Sequence, residues 1–277
     1  MAFLFKPAKN RRIFYSIIFS GKEADSNMQY SIALAGKGGV GKTTIAGMLV
    51  KYMVSKGKKP ILAVDADSNA NFNEVLGLEV EETLGGAREK MKKGEVPSGM
   101  TKDLFIEMKM EEAICESEDY DLIVMGQPEG SGCYCAANSL LTRFLERLAE
   151  NYKYLVIDNE AGMEHISRLT TKDVDILLIV SDPSRRGLQA AGRINKLAQD
   201  LSIGMGKSYL ILNQAKGEPS EALLKVIEDE GLELAGTVPE DDLVYDFDLN
   251  GQPTIELPEE SASQKAVFAI FDKIIEP

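Results

Sequence analysis

A short segment near the amino terminus has the residue types and spacing that bind phosphate. It fits the pattern G-x-x-x-x-G-K-[ST] and directly follows an apolar run, 31–35, that reads as a strand. The segment consists of Gly36, Lys37, Gly38, Gly39, Val40, Gly41, Lys42 and Thr43, with Thr44 next. The glycines allow backbone N–H groups to turn toward a β-phosphate at a helix N-terminus, which carries partial positive charge. Lys42 would reach the β- and γ-phosphate oxygens, and Thr43 would place its hydroxyl on Mg²⁺. The segment therefore predicts a site for ATP and Mg²⁺.

Carboxylates follow two other predicted strands. Asp65 and Asp67 come after the second strand, and Asp158 comes after a later one. Ligands bind at the carboxyl ends of strands in a parallel sheet, so these side chains are expected beside the phosphates. Strand alternation puts Asp65 and Asp67 on the same side, so spacing alone does not decide which of them faces an attacking water.

A glycine-rich loop, 126–135, carries two cysteines one residue apart, Cys133 and Cys135. In extended backbone, residues i and i+2 point the same way, so both sulfurs can reach one metal ion. Two thiolates fill half of the four-coordinate set that Zn²⁺ and other thiophilic ions prefer. A two-fold homodimer would supply the other two, which predicts a metal site between two chains. Cys115, in a segment that reads as helical and charged, is given no role, and His165 is expected to pack or to stabilise its loop.

These residues must be positioned by strands and helices that alternate along the chain. Short apolar, β-branched runs predict buried strands, and stretches of helical period lie between them. The predicted strands are 31–35, 60–64, 122–125, 154–157, 176–180 and 209–212, and the clearest predicted helices are 43–55 and 138–149. Residues 81–118 read as surface helices and loops. Repeated βα units predict an α/β fold with a doubly wound, mostly parallel sheet.

Composition limits the class of protein. With 277 residues and a formal net charge of −13, the chain would repel a polyanion, so a nucleic-acid partner is not expected. Three cysteines are too few for a disulfide scaffold and point to a reducing compartment, the cytoplasm. No run approaches 18 apolar residues, so no membrane span is expected, and 263–277 reads as a packing helix.

The first 27 residues differ from the rest in charge. They carry five basic and two acidic residues, a net of +3 against −16 for 28–277. We interpret 1–27 as an extension, disordered or not native, and 28–277 as a single P-loop ATPase domain.

The second lysine of the loop, Lys37, makes the segment KGGVGKT resemble the deviant Walker A group of P-loop ATPases, which includes MinD, ParA, ArsA and the nitrogenase iron protein. The resemblance implies that Lys37 crosses a dimer interface to contact the partner's nucleotide, so that Lys37 and Lys42 both act in catalysis. It also implies that Asp67 orients the attacking water, that Asp158 holds Mg²⁺ through water, and that the Gly162 amide senses the γ-phosphate. The adenine contacts that it implies are Asn213, Gln214, Pro239 and Glu240.

Four stretches of the sequence resemble one branch of this group more closely than the others. They are KGGVGKTT at 37–44, DADSNAN at 65–71, PEGSGCYCAAN at 128–138 and DNEAGMEH at 158–165. They resemble the nickel-insertion ATPases of the CooC and AcsF type, although Asp182 stands where a glutamate is expected. This resemblance implies a cytoplasmic ATPase that forms a homodimer on ATP and binds Ni²⁺, or Zn²⁺, at Cys133 and Cys135. The client enzyme would be a carbon monoxide dehydrogenase or an acetyl-CoA synthase.

Two other functions fit parts of the pattern. An iron–sulfur electron carrier like the nitrogenase iron protein would also use four cysteines of a dimer, although its cysteines are well separated. A positioning ATPase of the MinD or ParA kind would share the loop and both carboxylate segments. The residues do not name the metal or the client, and they do not say whether the nucleotide-free chain is dimeric.

Overall fold

An open sheet of mostly parallel strands forms the centre of the molecule. The computed structural model describes residues 29–67, 71–126, 147–159, 174–200 and 205–275. Within these ranges the sheet has eight strands in the order β3-β4-β2-β5-β1-β6-β7-β8. The strands are β1 (Tyr30–Gly36), β2 (Ile61–Ala66), β3 (Ile114–Glu116), β4 (Tyr120–Val124), β5 (Tyr154–Asn159), β6 (Val174–Ser181), β7 (Met205–Ala215) and β8 (Leu234–Pro239). Only β3 pairs antiparallel among the described strands, so the predicted doubly wound α/β fold is confirmed.

Helices cover both faces of this sheet. They are α1 (Lys42–Ser55), α2 (Phe72–Leu76), α3 (Leu84–Lys92), α4 (Lys102–Glu112), α5 (Arg185–Asp200), α6 (Glu221–Asp229), α7 (Asp242–Leu249) and α8 (Ala262–Ile274), with a 3₁₀ turn at Thr254–Glu256. Alternate residues of β1 enter different cores, as strand geometry requires. Leu34 packs in the core that contains Phe271 of α8, whereas Ala33 packs in the core that contains Leu188 of α5.

The strand order brings three strand ends to one point. β5 lies between β2 and β1, although it comes after both in the chain. Asp158 is therefore the Cα partner of Asp65 on one side and of Leu34 on the other. The end of β1, where the glycine-rich loop begins, thus lies beside two strands that end in carboxylates.

The six predicted strands are all present, and the first predicted helix agrees with α1 to within one residue. The predicted helix 138–149 falls mainly outside the described residues, although 147–149 are helical. The carboxyl-terminal packing helix is α8, which buries Val267, Ile270 and Phe271. Among the described helices, none is long and apolar enough to cross a membrane.

The interpretation of residues 81–118 needs correction. Their helices α3 and α4 are not only surface elements, because Leu84, Phe105 and Ile106 are buried in the core. Cys115 lies in strand β3 and not in a helical segment, and it pairs with Leu122 across the antiparallel ladder. The sheet face beside β4 has to be covered by apolar side chains, and these two helices supply them.

Candidate functional site

The glycine-rich loop joins β1 to α1 through two left-handed residues, Gly39 (φ 79°) and Gly41 (φ 84°). This backbone conformation is open to glycine at little cost. Lys37 is exposed, whereas Val40 is buried and fixes the middle of the loop in the core. The loop thus presents its backbone outward and is anchored from behind.

The start of α1 has the features of an anion site. Gly41 provides no side-chain cap, and the first turn contains no acidic residue. The first N–H groups of the helix therefore lack a side-chain acceptor there and carry the positive end of the helix dipole. Lys42 is buried, and its Nζ donates to the carbonyl oxygen of Lys37 at 3.3 Å, across the loop. A phosphate here would meet backbone amides and a cation together.

Thr43 and Asp158 form the second part of the site. The Thr43 hydroxyl donates to Asp158 Oδ2 at 2.6 Å. Asp158 is 1% exposed, and its Oδ1 has no hydrogen-bond partner within the described part of the chain. A buried carboxylate oxygen without a donor fits a cation or a cation-bound water, and hydroxyl and carboxylate oxygens are the ligands that Mg²⁺ prefers. These two residues therefore fit a Mg²⁺ ion.

Two buried carboxylates lie side by side at this point. The pKa of Asp158 is raised to about 7, chiefly by burial; the Thr43 hydrogen bond opposes the shift and the Asp65 carboxylate adds to it. The pKa of Asp65 is raised to about 6, again chiefly by burial, against backbone hydrogen bonds from Phe72 and Asp67. Two carboxylates held this close favour a nearby cation.

The structure assigns different surroundings to Asp65 and Asp67. Asp65 is fully buried and accepts from the backbone N–H of Asp67 at 3.0 Å and of Phe72 at 2.9 Å. Its two oxygens therefore hold both ends of the loop that leaves β2. Asp67 is half-buried at the start of that loop. Asp65 thus fixes the backbone at Asp67 and at Phe72.

Asn213 and Gln214, at the end of β7, contact the phosphate loop. Asn213 Nδ2 donates to the carbonyl oxygen of Val40 at 2.9 Å, and Gln214 Nε2 donates to that of Gly39 at 3.5 Å. Gln214 has a positive φ of 56°. The resemblance implied that both residues contact adenine, which stays a prediction; in this structure their amide groups brace the loop. No pattern in the sequence indicated this bracing role.

A cavity of about 440 Å³ extends from the phosphate loop along β7 and β8. Its lining residues are Gly41, Thr44, Ile45, Met48, Asn213, Gln214, Pro239, Glu240, Asp241, Asp242, Val244, Tyr245, Asp248 and Ser263. All four residues expected to contact adenine thus meet in one pocket, next to the loop expected to hold phosphate. Its volume and its mixture of apolar and polar side chains suit a small-molecule ligand.

One group of functional residues was missed by the sequence analysis. Asp241 Oδ2 accepts from the Ser261 hydroxyl at 2.6 Å and from the Ser263 N–H at 2.9 Å, and the Ser263 hydroxyl donates to the Pro239 carbonyl oxygen at 2.8 Å. We call Asp241, Ser261 and Ser263 the latch. It ties the pocket wall to the start of α8. Ser261 and Gln264 have the spacing of a capping box, a signal that marks this helix start but not its contact with Asp241.

Part of the predicted site lies outside the described residues. Cys133, Cys135, Gly162 and His165 belong to this part of the sequence. Within the described residues, no group of three or more His, Cys, Asp or Glu side chains could hold a metal ion. The intersubunit metal site therefore stays a prediction.

The fold and the loop define a P-loop ATPase of the nucleotide-binding α/β class. Residues 31–255 match the family model of the CobQ/CobB/MinD/ParA nucleotide-binding domain. The chain belongs to this family, whose members are ATP-binding ATPases.

Relatives and solved structures agree with this assignment. The chain is 44% identical to an uncharacterised ATP-binding protein of Methanocaldococcus jannaschii over 88% of this chain and 98% of that protein. It is 31% identical to the carbon monoxide dehydrogenase accessory protein CooC of Rhodospirillum rubrum over 82% of this chain and 89% of that protein. It also shares the fold of the septum site-determining protein MinD of Pyrococcus horikoshii OT3, solved with Mg-ADP, at 22% identity and a TM-score of 0.65 over 90% of this chain and 97% of that one.

Proposed function

We propose that this chain is an ATP-dependent nickel-insertion accessory protein that matures a carbon monoxide dehydrogenase or an acetyl-CoA synthase. The observation that carries the proposal is the 31% identity to the CooC accessory protein across most of both chains. The C-x-C pair supports it, because Cys133 and Cys135 provide thiolates suited to a thiophilic ion. The reducing cytoplasm would keep these thiols available.

The described residues support the following mode of binding for ATP and Mg²⁺. The amides of residues 38–43 and the Lys42 ammonium would hold the β- and γ-phosphates of ATP. Thr43 and, through water, Asp158 would hold Mg²⁺, which when bound neutralises phosphate charge. Asn213 and Gln214 would keep the loop carbonyls in place while the base occupies the cavity bounded by Pro239 and Glu240.

Hydrolysis would need a positioned water and two chains. Asp67 would orient the water that attacks the γ-phosphorus, so that the bond to the β-phosphate oxygen breaks and ADP and phosphate leave. Lys37 is exposed at the loop surface, where it could reach the nucleotide of a second chain. The Gly162 amide would report the γ-phosphate to its own segment. Dimerisation and ATP binding would therefore be linked.

Metal binding would be coupled to the same closure. Each chain contributes Cys133 and Cys135, so a closed dimer offers four sulfurs to one Ni²⁺ ion as cargo, or to Zn²⁺. Opening after hydrolysis would remove half of the ligands and release the ion to the client. Such coupling requires the metal affinity to differ between the ATP and ADP states.

The test is metal stoichiometry on reduced protein purified without oxygen. Elemental analysis and sizing chromatography would be run with ADP or a non-hydrolysable ATP analogue. We expect about half a nickel or zinc per chain in a dimer with the analogue, as one ion per four sulfurs requires. The double variant Cys133→Ser/Cys135→Ser should lose the metal. Cys115→Ser is the matched control, since Cys115 lies half-buried in β3 and should leave the stoichiometry unchanged.

Other outcomes would replace the proposal. Metal bound equally with ADP and with the analogue would exclude the coupled mechanism. Iron with matching sulfide would move the protein to the iron–sulfur electron carriers. Loss of metal in the Cys115 variant would place the site elsewhere.

A positioning ATPase of the MinD or ParA kind is the second candidate, favoured by the structural likeness to MinD. Helix α8 buries Val267, Ile270 and Phe271 in the core, so these side chains are not available to a membrane surface. Co-sedimentation of the ATP-bound chain with anionic vesicles, in the absence of any bound metal, would favour this candidate.

A further inference from the structure

Helix α7 borders the cavity through Asp242, Val244, Tyr245 and Asp248. None of its side chains is buried. Tyr245 is 67% exposed and Leu249, one turn further, is 68% exposed. Of these two large side chains, only Tyr245 lines the cavity. An aromatic ring so open to solvent leaves apolar surface that a flat ligand could cover.

The latch fixes the position of α7. Asp241 caps the helix by accepting from the Leu243 N–H at 3.0 Å, while its other oxygen is held by Ser261 and Ser263 of the α8 start. The Tyr245 N–H donates to the Asp241 carbonyl oxygen at 3.2 Å, in the first turn. The backbone of Tyr245 is therefore held in place by a helical turn that is hydrogen-bonded to the start of α8, although the Tyr245 side chain is exposed.

The phosphate loop borders the same cavity. Gly41 and Thr44 line the cavity, and Asn213, which also lines it, donates a hydrogen bond to the loop. A nucleotide whose phosphates occupy the loop would extend its base from Gly41 into the cavity that Tyr245 lines.

We propose that Tyr245 forms the outer wall of the base site and stacks on the adenine ring of ATP. This inference rests on the proposed ATP site and adds a residue that the family resemblance did not supply. Stacking of a base on an aromatic side chain tolerates any base, because every base has a π-face. Tyr245 would therefore contribute affinity for the nucleoside part and none for the phosphates.

Two ligands separate these contributions. Titration calorimetry would measure Mg-ATP and Mg-tripolyphosphate, which has the phosphates but no base. We expect Tyr245→Ala to weaken ATP binding by about 5- to 150-fold, the effect of losing one base–aromatic stack. Tyr245→Phe should remain within about twofold of the wild type, since it keeps the ring. Leu249→Ala is the matched control, and no variant should change tripolyphosphate binding.

Fluorescence spectroscopy tests directly whether the base contacts residue 245. The chain contains no tryptophan, so Tyr245→Trp introduces a single reporter. ATP should quench its fluorescence and tripolyphosphate should not. Leu249→Trp, equally exposed on the same helix, should respond to neither ligand.

Three results would overturn the inference. They are unchanged ATP binding by Tyr245→Ala, an equal loss of ATP and tripolyphosphate binding, and equal responses from the two tryptophan variants. If the wild-type chain bound no ATP, the proposed function would fail as well. If it bound ATP normally while Tyr245→Ala did too, only the stacking role would fail.

Discussion

Gly41 shows how closely the side chain of Asn213 packs against the phosphate loop. Its φ of 84° lies in the left-handed region, and a Cβ at this position would stand 2.4 Å from Asn213 Nδ2. Asn213 cannot retreat without giving up its hydrogen bond to Val40. Both the backbone and the neighbouring amide therefore require glycine here.

Gly41→Ala is thus expected to destabilise the protein even without nucleotide. Left-handed backbone costs an L-residue about 1–2 kcal/mol, and the clash with Asn213 adds to it. We expect the melting temperature to fall by roughly 4 °C or more. Gly38→Ala serves as the control, because nothing lies within 4 Å of its Cβ position and its φ is not positive. Equal melting temperatures for the two variants would contradict this account.

Single residues were predictable where a motif fixes their neighbours in the chain. The loop from Gly36 to Thr43 was located by its pattern, because strand, loop and helix follow one another directly. The contact of Asn213 with Val40 spans 173 positions, and no local pattern encodes such a distance. Spacing likewise left Asp65 and Asp67 equivalent, and they are distinguished in the fold by the full burial of Asp65 and by the backbone hydrogen bonds that it accepts.

At the scale of elements, the latch joins three segments that are separate in sequence: the end of β8, the start of α7 and the start of α8. Ser261 is fully buried and Ser263 is 4% exposed, so their hydrogen bonds are shielded from water. Burial would raise the pKa of Asp241, but hydrogen bonds from Ser261, Ser263 and Leu243 lower it below its ordinary value. The folded protein therefore favours the ionised carboxylate.

Asp241→Asn should destabilise the fold by about 1–2 kcal/mol, because one charged acceptor is lost and the site is partly exposed. A lowered pKa in the folded state means that the carboxylate adds stability above its unfolded pKa of 3.8 and loses it as pH falls through the folded value. The difference from wild type in urea unfolding should be equal at about pH 7 and pH 5 and should shrink below about pH 4.

Asp246→Asn gives the same change of charge on the same helix at an exposed position and is expected to have little effect. A difference from wild type that grew toward acid would mean that Asp241 is protonated in the folded protein.

Strands and helices with a strong hydrophobic pattern were predictable from the sequence. Elements that form only through contacts with neighbouring strands and helices were not. The six central strands are runs of apolar, β-branched residues buried on both faces. Strand β3 has only three residues, Ile114–Glu116, and exists because β4 offers it an antiparallel edge. Helices α3 and α4 are rich in charge, so the burial of Leu84 of α3 and of Phe105 and Ile106 of α4 in the core became clear only in the fold.

The whole molecule carries a net charge of −13, and two copies that approach one another must overcome this repulsion. Added salt screens long-range repulsion between exposed charges more than it weakens close pairs, such as the proposed contact of Lys37 with the partner's phosphate. We expect the proposed ATP-dependent dimer to tighten about three- to tenfold between about 20 and 150 mM NaCl. Analytical ultracentrifugation with a non-hydrolysable analogue measures this change.

Lys37→Ala should remain monomeric at both salt concentrations, because it lacks the proposed contact across the interface. A dimer that weakened with salt in the wild type would instead indicate that opposite charges meet across the interface.

The strand order also determines how much of the chain must be synthesised before it can form the nucleotide pocket. The phosphate loop precedes most of the sheet in the sequence, and β1 has both of its neighbours only when β5 and β6 have been synthesised, up to Ser181. The cavity wall formed by Pro239 and Asp241 is fixed later still, by hydrogen bonds from Ser261 and Ser263. A copy that stops short of these residues contains the complete motif yet has no pocket to hold ATP. Truncated copies that end before Ser261 would therefore be left out of any assembly that requires bound ATP.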